Sequence, residues 1–229
     1  MALQSVDLKS LKKKLLTRLI LFPVLLGSIL LLSAGTFDYW EVYAYLGVII
    51  LPLTAVVTYF LKHDPEFLER RMKLKEKESS QKKIVSYSAI GYIIGFLLPG
   101  FDHRYGWSDI PVDGVIAADI IVLLCYFFIM YVFMENRYAS RVIEVEKQQT
   151  VISSGPYGYV RHPMYLGSIM MFLATPISLG SYWALIPFAT VPVSMVFRIL
   201  NEEKVLREQL DGYHEYCVKV RYRLLPYLW

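Results

Sequence analysis

The chain has 229 residues, 55% of them apolar and 15% aromatic, with a formal net charge of +4. Several long, nearly uncharged runs in a chain of this length exclude an ordinary soluble domain and point to one integral membrane domain. The basic excess calls for no nucleic-acid partner, because its distribution along the chain follows the membrane.

The first apolar run, 19–34, follows Lys12, Lys13, Lys14 and Arg18. A basic start before an apolar run resembles a signal peptide. Further runs follow at 42–61, 84–99, 115–134, 164–179 and 182–197, so an uncleaved first helix is the expectation. Runs near twenty residues suffice to cross roughly 30 Å of hydrocarbon. The last two are shorter and are joined only by Gly180 and Ser181, which predicts a tight helical hairpin, fully crossing or partly re-entrant. The fold class is all-α: a polytopic membrane bundle of five or six spans with a cytoplasmic C-terminal helix. We read residues 1–229 as a single membrane domain, with N-terminal spans over 1–134 and the chemistry concentrated in 135–229.

Assigning the loops alternately to the two sides, with the N-terminus inside, leaves Arg104 as the one Lys or Arg outside, and 23 of the 24 fall inside. This asymmetry predicts that both termini, and the segment around Arg161, face the cytoplasm of a plasma or endoplasmic-reticulum membrane. The inside loop 62–83 reads as a solvated run beside anionic headgroups. Within it, Asp64-Pro65-Glu66 predicts a short surface helix over 65–77. Asp119 is the acidic residue deep in a span, one turn into the fourth, facing the outer interface or a helix neighbour. Cys125 and Cys217 fall in different compartments, which argues against a disulfide. His63, His103, His162 and His214 lack metal-ligand spacing, so no metal is expected.

The segment from Gly155 to Gly167 combines a turn, a cation, an imidazole and a helix start. Proline suits the first position of a helix, so a helix beginning at Pro163 would offer free N–H groups from Met164, Tyr165 and Leu166 and the positive end of its dipole. Arg161 adds a fork suited to carboxylate or phosphate, and His162 can donate or accept. Together they suit an anion at the cytoplasmic edge; alternatively, Arg161 reaches lipid headgroups and His162 caps the helix. Tyr157, Tyr159 and Tyr165 could form a flat pocket for a ring such as adenine, or an interfacial aromatic belt.

The tail predicts an amphipathic helix over 199–220, with Leu206, Leu210, Tyr213, Cys217 and Val220 in one stripe and a break at Asp211-Gly212. At its start, Glu203 has Arg207 at i+4, a good surface pair. Glu202 has no such partner and shares the inward side with Leu206 and Tyr213. Glu202 is therefore the candidate functional carboxylate, for an ammonium group, and Arg198 the candidate for an anionic end of substrate or cofactor. The closing stretch 222–229 reads as an interfacial anchor.

Gly155-Pro156-Tyr157, Arg161-His162-Pro163-Met164-Tyr165-Leu166-Gly167, Asn201-Glu202-Glu203, Leu206, Tyr213-His214-Glu215-Tyr216 and Pro226 together resemble the C-terminal half of isoprenylcysteine carboxyl methyltransferases. Phospholipid methyltransferases share the pattern. The resemblance covers about 150–229; the first 80 residues match nothing nameable. It implies S-adenosylmethionine held by the C-terminal helices and tail, with a lipophilic substrate entering from the bilayer. Tyr157, Arg161, His162, Tyr165, Glu202 and Tyr213 would contact the cofactor, and Arg198, with Glu202, would carry the catalytic role at the substrate end. The family's Phe-Gly-x-x-Tyr is here Leu210-Asp211-Gly212-Tyr213-His214-Glu215-Tyr216, with an acidic residue before the glycine. The expected acceptor is the carboxylate of a prenylated cysteine or similar isoprenoid. Arg-His-Pro-x-Tyr-x-Gly and a similar tail also occur in NADPH-dependent sterol reductases, which gives a second reading; a non-enzymatic membrane scaffold is a third.

Overall fold

The computed structural model describes residues 7–72, 79–139, 142–143, 145–146 and 148–229, and of 79–88 the backbone alone. Its secondary structure is helical throughout. Helix α1 (Leu8–Ala34) opens at Asp7, whose carboxylate accepts from the N–H groups of Lys9 and Ser10, a standard N-cap. After α2 (Trp40–His63), Asp64 caps the short α3 (Pro65–Arg71) by accepting from Phe67 N–H at 3.0 Å. Helices α4 (Ser79–Tyr105) and α5 (Val112–Glu135) follow. A 3₁₀ turn at Gly155–Gly158 leads to α6 (Pro163–Ser178), then α7 (Leu185–Phe188), α8 (Thr190–Gln209) and α9 (Tyr213–Lys219).

Among the described residues, α1, α2, α5 and the combined run Leu185–Gln209 are long and apolar enough to cross a membrane. Their outward faces carry Leu21, Leu25, Leu51, Leu124 and Phe127, all exposed, as lipid-facing positions are in a polytopic membrane protein. Inside, Leu30, Val42, Ile49, Val122 and Leu179 join α1, α2, α5 and the end of α6 in one core. Helices α5 and α6 pack very closely. A Cβ on Gly167 would lie 2.9 Å from both Phe128 and Ile129, so only glycine permits this approach.

The final hairpin differs from expectation. Its first arm has 16 residues, about 24 Å of helix. Its second arm, Leu185–Gln209, has 25 and continues past the apolar run into charged sequence. The connection runs from Leu179 to Ala184, longer than the Gly180-Ser181 pair. The tail helix breaks where the sequence indicated: α8 ends at Gln209 and α9 starts at Tyr213, with Gly212 at φ +81°, a left-handed conformation natural to glycine.

The helix expected at the surface over 65–77 ends at Arg71, and residues 73–78 lie outside the described part. Glu66 and Glu69 are exposed, as for a surface helix, but the opposite face is buried. Phe67 is fully buried, with ring centroids 4.4 Å from Phe60 and 5.2 Å from Phe133. Asp119 faces a helix neighbour, bonded to the Ser178 hydroxyl.

Candidate functional site

At the charged end of the bundle, α6, α8, α9 and the segment 136–152 enclose a cleft with about 850 Å³ of empty space, its mouth included. Tyr157, Arg161, His162, Tyr165, Arg198, Glu202 and Tyr213 all line it. Residues spread over fifty-odd positions of sequence are thus gathered around one space. Tyr159, named with them from sequence, is instead 76% exposed and faces away.

The electrostatics divide into two groups. The first centres on Glu203, which is 3% exposed. Its carboxylate accepts from Arg161 Nε at 2.8 Å and Arg223 Nε at 3.1 Å. His162 Nε2 lies 3.3 Å away and Arg207 Nη2 3.5 Å. The surface-pair reading of Glu203 was therefore incorrect: the Arg207 contact exists, but it is the outermost of four. Helix periodicity placed Glu203 beside Arg207 correctly; it could not show that the chain termini of α6 and the tail fold over the other side.

That fold-over has a backbone basis. The N–H groups of Arg161 and His162 donate to the carbonyls of Tyr222 and Arg223, each at 2.9 Å. Arg161 Nη1 adds bonds to the Val220 and Arg221 carbonyls. Arg223 also lies over the Trp229 ring, 5.1 Å from its centroid, and Leu224 is buried beside Tyr165 and Ile199. The closing stretch is thus a strap that completes the site rather than only an interfacial anchor. Two of the helix N–H groups expected to be free are also engaged, since Tyr165 and Leu166 both donate to the His162 carbonyl. Arg161 Nε and Nη1 are thus engaged by protein, and the residue also lines the cleft.

The second group faces the cleft. Arg198 Nε donates to the Tyr165 hydroxyl at 2.9 Å, and that hydroxyl donates to Glu202 Oε2 at 2.5 Å. One tyrosine thus holds a cation and a carboxylate in fixed relation. Glu202 sits about a turn of α8 farther than Arg198 from the membrane core. The two glutamates differ because neighbours on a helix lie about 100° apart: one turns to the hub, the other to the cleft.

Tyr213 contributes a buried hydroxyl with no hydrogen-bond partner. Buried polar groups are normally satisfied, so an unpartnered hydroxyl in a cleft wall marks a place for a ligand atom. Burial pushes the hydroxyls of Tyr157, Tyr213 and Tyr216 well above the usual tyrosine range, which keeps them neutral. Tyr216 donates to the Tyr157 carbonyl at 2.8 Å and fixes the 3₁₀ turn.

Sequence reasoning missed the wall formed by Asn136, Ile143, Gln149, Thr150 and Val151, together with Tyr216. A signal was present: Val142, Ile143, Val145, Val151 and Ile152 are β-branched apolar residues in an otherwise polar stretch. Val142 and Ile143 are buried, and Val145 and Val151 pack against the stripe of α9.

Residues 114–211 match the phospholipid methyltransferase family model. That segment is similar to the superfamily of isoprenylcysteine and phospholipid membrane methyltransferases. It runs from α5 to the end of α8 and contains most of the cleft. The chain is also 33% identical over 84 residues to a Delta(14)-sterol reductase of Mus musculus, covering 34% of this chain and 20% of the reductase. The chain therefore spans about a fifth of that relative's length, and the likeness is confined to a shared piece.

Proposed function

We propose that the protein is an S-adenosylmethionine-dependent methyltransferase whose acceptor is a lipophilic carboxylate, that of a prenylated cysteine or similar isoprenoid. The observation that carries this reading is the Arg198–Tyr165–Glu202 chain facing a cleft that also holds the unpartnered Tyr213 hydroxyl. The donor set suits the cofactor: a carboxylate for an ammonium group, neutral tyrosines for a purine and its sugar, and apolar walls.

When bound, S-adenosylmethionine supplies a methyl group on a sulfonium, whose in-line transfer to a carboxylate oxygen gives an ester and a neutral thioether. Glu202 would hold the ammonium group. Tyr157 and Tyr213 would line the nucleoside. Arg198, the deeper of the charged pair, would hold the acceptor carboxylate near the bilayer. Ile143, Val151 and Leu206 exclude water, and orientation with desolvation supplies most of the rate effect in such a displacement.

A carboxylate acceptor needs no general base. An amine acceptor does; His162 is turned towards Glu203, so the base for an amine would be Glu202, the group this reading gives to the cofactor ammonium. The Lys and Arg distribution supports a cytoplasmic site in a plasma or endoplasmic-reticulum membrane.

The reductase likeness supports a second reading, in which the cleft takes NADPH. Calorimetric titration of detergent-solubilised protein separates the two. Saturable heat with S-adenosylhomocysteine and none with NADPH supports the methyltransferase; the reverse supports the reductase. Transfer of labelled methyl groups to a panel of lipophilic acids and amines then tests the acceptor, and labelling of amines alone rules out the carboxylate.

A further inference from the structure

The described residues of the segment 136–152 form one wall of the cleft. Glu146 N–H donates to Gln149 Oε1 at 2.9 Å, and Gln149 N–H donates to the Glu146 carbonyl at 3.1 Å. Asn136 Oδ1 accepts from Tyr138 N–H at 3.0 Å. The wall takes support from elsewhere in the fold.

That support comes from α3, which lies outside the matched family segment. Arg70, with a side chain 12% exposed, donates from Nη2 to the Arg137 carbonyl at 2.8 Å. Its Nε lies 3.4 Å from Glu146 Oε1. One guanidinium therefore meets the wall at Arg137, by a hydrogen bond, and at Glu146, by a longer ion pair. Asp64 adds a second tie, 3.8 Å from Arg70 and 3.9 Å from the Arg137 guanidinium, while its other oxygen caps α3. Behind this, α3 is anchored in the core by Phe67, and Arg71 lies over the Phe133 ring, 4.6 Å from its centroid. Arg71 Nη1 is also 3.9 Å from the sulfur of Met164, a cleft residue.

We propose that α3 is a brace for the cofactor cleft and that Arg70 is its positioning residue, holding the 136–152 wall in the binding-competent arrangement. Arg70 touches no ligand; it acts through Arg137 and Glu146 on their neighbours Asn136, Tyr138, Gln149 and Thr150, which line the cleft. Apparent affinity falls by the fraction of time a site is competent, so a wall released nine-tenths of the time weakens binding about tenfold. The affinity arm of the test rests on the proposed cofactor; the brace itself does not.

Two measurements on the full chain in detergent decide this. The first is S-adenosylhomocysteine affinity in Arg70→Ala, Glu146→Ala, the double variant and Arg70→Lys. The brace gives about a tenfold rise in Kd for Arg70→Ala and a smaller one for Glu146→Ala. The double variant adds little to Arg70→Ala, and Arg70→Lys recovers part of the loss. The second is amide hydrogen exchange without ligand, where Arg70→Ala accelerates 136–152 and leaves α5 and α6 protected. An unchanged Kd in Arg70→Ala, additive losses, or faster exchange spread over all helices overturns the proposal. If the wild type binds no S-adenosylhomocysteine, the cofactor reading fails and the exchange result alone decides the brace: local acceleration upholds it, and none or global acceleration removes it.

Discussion

The two ends of this bundle use the same residue types to opposite effect. At the end away from the cleft, Asp102 is 1% exposed and accepts from the Ser108 N–H and hydroxyl, each at 2.7 Å, and from the Ser181 hydroxyl. Tyr39 donates to the Leu179 carbonyl at 2.5 Å, and Tyr45 bonds Thr175 at 2.9 Å. There Asp102 and Tyr39 tie the loops that join α1 to α2, α4 to α5, and α6 to α7, while Glu41 Oε2 is buried without a hydrogen-bond partner. At the cleft end, Glu203 is equally saturated, whereas Glu202 and Tyr213 line the cleft and the Tyr213 hydroxyl is buried without a hydrogen-bond partner. A buried polar group closed on protein is architecture; one left open at a cavity wall is a binding group.

The largest test of this contrast is Glu203→Ala. It strands Arg161 in a buried position, and breaking a buried ion pair costs about 3–5 kcal/mol. We expect a large fall in melting temperature in detergent and little recoverable protein. A mild phenotype would show that the hub is dispensable. Glu202→Ala comes next and should act differently, losing S-adenosylhomocysteine binding by more than tenfold by calorimetry while the melting temperature stays near wild type. If Glu202→Ala also unfolds the protein, the division into architecture and binding group fails.

Asp102→Ala should cost about 1–3 kcal/mol, since it leaves the Ser108 and Ser181 hydroxyls without their acceptor. The folded fraction should bind S-adenosylhomocysteine with unchanged affinity; altered affinity would mean that the two ends are coupled. The smallest effect belongs to Tyr213→Phe. It removes a hydroxyl that has no partner in the free protein, so the melting temperature should hold or rise, while affinity falls by about 1 kcal/mol, the net worth of a typical hydrogen bond. Loss of stability in this variant would mean that the hydroxyl is satisfied without ligand.

The sequence alone determined the membrane class, the approximate spans, the break at Gly212 and the gathering of Arg161, His162, Tyr165, Arg198 and Glu202 at one end. These follow from local quantities: hydropathy over twenty residues, turn chemistry, and the 100° step that separates Glu202 from Glu203. Tertiary structure decided the rest. That Glu203 gathers three guanidinium groups and an imidazole depends on Arg223, twenty residues away, and on a strap whose backbone pairs with Arg161 and His162. That α3 buries one face and reaches the cleft wall depends on Phe67 meeting Phe60 and Phe133 across three helices. Such contacts join positions far apart in the chain, and periodicity shows which face of a helix is apolar but not which partner will cover it.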